Sequence, residues 1–250
     1  MTCRVAVLSD VHGNAFALEA VLDDIRQHAP DLIVNLGDQV WGQADPLRAL
    51  ELQRSLEAVE VRGNNDERLL APVETLAPAL RPLQAWLMER LPRQELTRLA
   101  TLPTTASLFD GALLAAHGTP LTPWDSLLVG WQDGAYFRRS DEEIRCRLNS
   151  LTDAAVVLVG HMHREAVHKL EGQLLVSVGP VSSPADGDPR ARWTCLTRRG
   201  GEWQVELRRV TYDWDAALAW ELCHGPIGAV DHTAPPCFPW RGTASDFPCS

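Results

Sequence analysis

The side chains able to bind a metal fall in short clusters. Asp10 and His12 stand two residues apart, as do His161 and His163, while Asp38, Asn64 and His117 lie singly between the two pairs. Carboxylate oxygen combined with imidazole nitrogen suits a first-row transition cation better than the all-oxygen cage preferred by calcium. On an extended chain, an i, i+2 pair aims both side chains to one side. Gly37, Gly63, Gly118 and Gly160 each adjoin one of these candidates, where close backbone approach or a positive φ is easiest for glycine. Each residue taken singly has a plainer reading, and alone that reading is favoured: Asp10 or Asp38 as a cap, Asn64 as a turn residue, His117 as a satisfied buried histidine. Taken together, the odds reverse.

For so dispersed a set to converge, the elements between must bring it together. Short β-rich apolar runs recur at Val5 to Leu8, Leu32 to Val34, Val59 to Val61, Ala112 to Ala116, Ala155 to Val159 and Leu174 to Val178, each bounded by turn residues. The first five are followed in turn by Asp10 and His12, by Asp38, by Asn64, by His117, and by His161 and His163. In open α/β sheets the crevice beyond the carboxyl ends of the strands is where ligands bind, so the set can meet there. Ala15 to His28 carries Ala17, Leu18, Val21, Leu22 and Ile25 at the spacing of a buried helical stripe. Pro46 to Glu57 predicts a second helix, capped by Asp45 with Pro46 in its first turn. The fold class is therefore α/β, opening as a βαβ unit. Residues 66 to 100 read as a helical insertion broken by prolines at 72, 78, 82 and 92. Alternation over Trp203 to Leu207 predicts antiparallel strands, and Asp213 to Cys223 a last helix. We expect a single domain over 1–224 followed by a proline-rich tail over 225–250.

Composition narrows the class. The 250 residues are 45% hydrophobic and 22% charged, the balance of a globular protein. A formal charge of −10, with 23 basic against 33 acidic residues, disfavours a stable complex with nucleic acid. An anionic substrate must then be drawn by a local positive site. No apolar run approaches a membrane span or a signal-peptide core, so neither membrane insertion nor export is expected. Six scattered cysteines without a Cys-x-x-Cys pair read as reduced thiols of a cytoplasmic protein.

Asp10-Val11-His12-Gly13-Asn14, Gly37-Asp38, Gly63-Asn64-Asn65-Asp66, His117-Gly118 and Gly160-His161-Met162-His163 resemble, in order, the five signature blocks of the calcineurin-like metallophosphoesterases. The stretch from Gly179 to Ala191 resembles a segment of the small bacterial and archaeal branch grouped with diadenosine-tetraphosphatase-like and phosphodiesterase-like proteins. The resemblance covers about residues 3 to 220. It implies a layered β-sandwich of mixed sheets flanked by helices, and two divalent cations, Mn first, with Fe, Zn or Ni as alternatives. One cation would be held by Asp10, His12 and His163, the other by Asn64, His117 and His161, with Asp38 bridging. Asp38, Asn64 and Asn65 would serve catalysis, and Asn14, Arg62 and Asn65 would face substrate. Two cations bring +4 against two anionic ligands, leaving about +2 to attract a phosphate.

The activity implied is hydrolysis of phosphodiester or phosphoanhydride bonds in small nucleotides by a metal-bridging hydroxide. The alternatives are a phosphomonoesterase acting on small molecules or phosphoprotein, and a metal-binding scaffold without catalysis. The resemblance specifies no oligomeric state. Two positions depart from the family pattern. Asn65 stands where many relatives have a histidine that protonates the leaving oxygen, and Ala185 where the branch often has arginine. An amide cannot act as a general acid, which tilts the expected substrates toward good leaving groups. Trp41, Trp86, Trp124 and Trp131 could stack a base, but nine tryptophans mostly imply packing. Arg62 could face substrate or pair with an acid. His28, His168, His224 and His232 match no block.

Overall fold

The computed structural model describes residues 2–148 and 153–226. Two five-stranded mixed sheets face each other. The first has the order β12-β11-β1-β2-β3 and the second β4-β5-β8-β10-β9. In the first, β1 (Thr2–Leu8), β2 (Leu32–Asn35) and β3 (Val59–Glu60) run parallel, and β11 (Ala191–Arg199) and β12 (Glu202–Val210) continue the sheet antiparallel. In the second, β5 (Leu113–Ala116), β8 (Val156–Val159) and β10 (Gln173–Ser177) are parallel, with β4 (Thr105–Leu108) and β9 (Ala166–Leu170) antiparallel at the edges. A separate hairpin pairs β6 (Val129–Gln132) with β7 (Ala135–Arg138).

The period of two along a strand decides which core each residue joins. From β1, Val5 and Val7 point between the sheets, where they meet Val34, Leu113, Ala115, Val156, Leu158 and Val176. The alternate residues Ala6 and Leu8 point outward onto Leu18, Val21, Leu22 and Ile25 of α1 (Ala15–His28). From β8, Val157 and Val159 face Ile144 and Leu148 of α6 (Asp141–Leu148). Both sheets are thus covered on both faces, which is why the central strands read as continuous apolar runs. Burying each such valine, leucine or isoleucine side chain is worth roughly 1.5–3 kcal/mol.

Between β2 and β3 lies α2 (Pro46–Arg54), which begins at the expected proline with Asp45 accepting from Arg48 N at 3.3 Å. It stops three residues short of the expected Glu57, which takes a φ of 50°. The insertion is α3 (Asn64–Arg68), two 3-10 turns at Val73–Thr75 and Pro78–Leu80, α4 (Arg81–Arg90) and α5 (Arg93–Ala100). It packs Leu83, Trp86, Leu87, Leu96 and Leu99 against Trp41 and Leu50, so Trp41 and Trp86 serve packing here. The last helix, α7 (Trp214–His224), is capped by Asp213, and its final carbonyl accepts from Trp86 Nε1 at 2.9 Å.

The sequence reading passed over β4, β6, β7, β9 and α6. All four strands are short edge or hairpin strands; β4, β7 and β9 are largely half-exposed or exposed with no apolar run to mark them, and the Leu127-Leu128-Val129 run that enters β6 was not singled out. Their turns carried the signal instead. Asp133-Gly134 and Glu171-Gly172 join adjacent strands with positive φ at both residues, the conformation of the tightest hairpin turns. Of the proline-rich tail, residues 227–250 lie outside the described residues.

Candidate metal centre

Each of the seven expected ligands lies in a loop leaving the carboxyl end of a strand, apart from Asn64, which opens α3 just after β3. The loops are laced by main-chain hydrogen bonds. Asp10 N donates to Gly37 O at 3.0 Å, His12 N to Asp38 O at 2.9 Å and Gly160 N to His117 O at 2.7 Å. This path bends the backbone sharply: Asp10, His12, Asp38, His161 and His163 have φ of 54°, 46°, 57°, 70° and 54°. Asp and His tolerate the left-handed region better than most side chains, yet five such residues in one site store strain of about 1–3 kcal/mol apiece. Two glycines make room. A Cβ on Gly63 would lie 2.1 Å from Asp38 Oδ1, and one on Gly160 would lie 2.0 Å from Ser9 Oγ.

All seven side chains converge. Asp10 Oδ1 lies 3.4, 3.8 and 3.9 Å from Nε2 of His163, His12 and His117. Asp38 Oδ2 lies 3.7 Å from His12 Nε2 and 3.5 Å from His117 Nε2. Asn64 Oδ1 sits between His117 Nε2 at 3.1 Å and His161 Nδ1 at 2.9 Å. Asp10, Asp38 and His117 are almost wholly buried. Three rings are turned by carbonyls that take their Nδ1–H: Trp41 O for His12 at 3.0 Å, Leu36 O for His117 at 2.7 Å, and Ser183 O for His163 at 2.7 Å. The remaining nitrogen of each then faces the centre, as metal-ligating histidines are commonly arranged.

The donor set fits cations. Asp10 Oδ1 is buried without a hydrogen-bond partner, although Asp10 Oδ2 accepts from Ser9 Oγ at 2.6 Å and from His161 N at 3.1 Å. Nε2 of His12 and of His163 approach to 2.9 Å. The Asp10, His12, His163 and the Asp10, Asp38, His117 groups each bring their ligand atoms close enough to hold an ion.

The electrostatics of the buried groups make the same demand for positive charge. Burial opposes ionisation of Asp10 and Asp38, yet the rings of His163 and His117 hold both carboxyls far below the usual range. Burial likewise opposes a charged His117, but Asp38 and Asp10 push its pKa up to about 10. Burial and the charged His117 push His161 down to about 3. Two buried carboxylates thus draw cationic charge onto the centre.

Around the centre, the other expected residues are committed in different ways. Asn65 donates its main-chain N–H at 2.8 Å and its side-chain amide at 2.5 Å to the two oxygens of Asp38. Asn14 caps α1 through Ala17 N at 2.9 Å and gives its amide to Ser182 Oγ at 3.2 Å. Arg62 pairs with Glu67 at 3.0 Å and donates to Ala100 O at 2.9 Å. Ala185 donates its main-chain N–H to His163 O at 3.1 Å, and its carbonyl accepts from Arg164.

Sequence reasoning placed Asp66 in a signature block but gave it no role. Its buried carboxylate accepts from Gly63 N, Asp38 N and Gln39 N at 2.8, 2.9 and 3.0 Å, fixing the Asp38 loop to the start of α3. Burial and the neighbouring Asp38 charge push Asp66 up to about 7, against the pull of those donors. An acid three residues after the helix cap Gly63 was the available signal. Arg68 and Trp124, beside Asn65, were not legible as a pair. Arg68 Nη1 donates to Asn65 Oδ1, and its guanidinium lies 4.7 Å over the Trp124 ring.

Two facing mixed sheets whose strand ends gather carboxylate, amide and imidazole donors define a metallohydrolase-type centre. The chain belongs to the calcineurin-like phosphoesterase superfamily, whose domain profile matches residues 3–198, and it is accordingly a metal-dependent phosphoesterase. It is 28% identical over 235 residues to an uncharacterized protein of Methanocaldococcus jannaschii, covering 84% of this chain and 88% of that one. Its fold is similar to that of a metallophosphoesterase from Sphaerobacter thermophilus, with TM-score 0.71, 27% identity, and 89% and 94% of the two chains covered. A hypothetical protein from Pyrococcus horikoshii shares the fold at TM-score 0.72 and 16% identity, over 91% and 100% of the two chains. Among the described residues no helix is long and apolar enough to cross a membrane.

Proposed function

We propose that the centre holds two divalent cations and hydrolyses phosphodiester or phosphoanhydride bonds in small nucleotides. Asp10, His12 and His163 serve one cation, Asn64, His117 and His161 the other, and Asp38 both. Manganese is the first choice, with iron, zinc or nickel as alternatives for the same donors. One observation carries the reading: a single oxygen, Asp38 Oδ2, faces a ring from each triad, His12 at 3.7 Å and His117 at 3.5 Å. Bound there, the cations supply a lowered pKa for attacking water and neutralise charge on the phosphoryl oxygens during in-line displacement.

The chain's own residues orient and exclude. Carbonyls of Trp41, Leu36 and Ser183 fix three imidazoles, and Asp66 fixes the loop that carries Asp38. Asn65 holds Asp38 through both carboxylate oxygens, and its amide has no proton to give up to a leaving oxygen. General acid help is commonly worth 10²- to 10⁴-fold, so its absence here favours substrates whose leaving groups depart as stable anions. Asn65 is the expected substrate-facing residue closest to Asp38. Asn14 and Arg62 would reach substrate only by releasing Ser182 and Glu67.

The test is hydrolysis by manganese-reconstituted protein of a nitrophenyl monoester, a bis-nitrophenyl diester, a cyclic nucleotide and a dinucleoside polyphosphate, with Asp38→Asn as control. Turnover of diester or polyphosphate that the control lacks supports the reading. Silence with several metals rejects it in favour of phosphoprotein substrates or a non-catalytic scaffold.

A further inference from the structure

Arg68 closes α3, one turn after Asn65, and differs in its surroundings from Arg62 and Arg98. Those two are matched to carboxylates: Arg62 to Glu67, and Arg98 to both Glu60 and Glu95. Arg68 is half-buried and makes no ion pair among the described residues. The nearest acid in sequence, Glu67, is engaged by Arg62 and by Trp124 Nε1, which donates to it at 2.5 Å. In a chain of net charge −10, a guanidinium drawn partly out of water with no carboxylate in direct contact among the described residues is costly to keep. Several contacts nevertheless hold it in place. Trp124, itself pinned by Glu67, lies under the guanidinium, Asn65 accepts from Nη1, and Gln84 Nε2 donates to the Arg68 carbonyl at 2.9 Å. Only Nη1 has a hydrogen-bond partner among the described residues, whereas a guanidinium carries five N–H donors. Two hydrogen bonds, Arg68 to Asn65 and Asn65 to Asp38, connect this cation to the carboxylate at the middle of the centre.

We propose that Arg68 binds a second phosphate of the substrate, the one that departs, so that the preferred substrates are anhydrides whose leaving group carries its own anionic oxygens. This rests on the phosphoesterase reading above. Arginine stays protonated at any working pH, so it supplies charge and a planar fork for phosphate rather than a proton. In the step, a water oxygen forms a bond to phosphorus and its proton passes to solvent. The bond from phosphorus to the bridging oxygen breaks, and the electron pair leaves with the departing phosphate. That phosphate needs no proton if a fixed cation meets it, which matches the lack of a proton donor at Asn65. A leaving nitrophenoxide or alkoxide has no second phosphate for Arg68 to hold.

The experiment compares wild type, Arg68→Gln and Arg68→Lys as manganese-loaded full chains, on a dinucleoside polyphosphate and on bis-nitrophenyl phosphate. Calorimetric titration with inorganic pyrophosphate and with inorganic phosphate accompanies it. Arg68→Gln is expected to lose about 10- to 100-fold more in kcat/KM on the polyphosphate than on the diester. Pyrophosphate binding should fall more than phosphate binding, and Arg68→Lys should recover part of both losses. Equal losses on the two substrates would assign Arg68 a structural part and overturn the proposal, as would a wild type that cleaves the diester but not the polyphosphate. A wild type inactive on both would sink the phosphoesterase reading instead, and the pyrophosphate comparison would still decide whether Arg68 binds a second phosphate.

Discussion

In the metal centre, the outer atoms of the ligand-type side chains are held mainly by the backbone: His12 by Trp41 O, His117 by Leu36 O, His163 by Ser183 O, and Asp38 in part by Asn65 N. On the flank beside it, side chains hold one another: Arg68 on Asn65 and Trp124, Trp124 on Glu67, and Glu67 on Arg62. The centre therefore inherits its geometry from the sheets and tolerates little change. The flank is held by side-chain contacts that single substitutions remove one at a time. If the chemical step resides in the first region and the choice of leaving group in the second, as proposed, mutations should separate the two.

The largest effect belongs to Asp38→Asn. Removing the carboxylate that faces both triads should cut turnover by about 10³-fold or more, matching the several kcal/mol of charge stabilisation supplied by bound cations. Metal content measured on the same sample should fall with it. Asp66→Asn touches no ligand position, yet it replaces an acceptor of three main-chain N–H groups by an amide. We expect metal affinity to drop roughly 10- to 100-fold and stability to fall by about 1–3 kcal/mol, read by metal titration and denaturant unfolding. An unchanged metal affinity would show that the cradle does not depend on this brace.

On the flank, Asn65→His adds a proton donor beside Asp38. It should raise turnover of alkyl esters by up to ~10²-fold while leaving aryl esters nearly unaffected. Equal acceleration of both would argue against a leaving-group position for residue 65. The smallest expected effect is that of Trp124→Ala, which removes the ring under Arg68. A two- to fivefold loss on polyphosphate substrates corresponds to roughly 0.5–1 kcal/mol, the lower range of a cation–π contact, and diester turnover is the internal reference.

The same division governs what could be read from sequence. The central strands were legible because burial on both faces writes them as apolar runs, as in Val5 to Leu8 and Val156 to Val159. The seven metal-capable residues were legible because parallel strands deliver their ends to one crevice. The edge strands β4 and β9 were not, since half-exposed strands carry weak patterns and lean on turn chemistry such as Glu171-Gly172. The commitment of Asn14 to the α1 cap was hidden because an Asn after a turn reads equally well as a cap or a ligand contact. Nor could the partners of His12, His117 and His163 be foreseen, because a backbone carbonyl has no sequence signature. Trp124 lies 57 positions from Glu67, and only the folded chain reveals their contact.

The most direct test of the central claim is anomalous scattering from crystals of the manganese-loaded protein. The account predicts two peaks per chain, one among Asp10, His12 and His163 and one among Asn64, His117 and His161, both against Asp38. A single peak, or peaks away from Asp38, would contradict it.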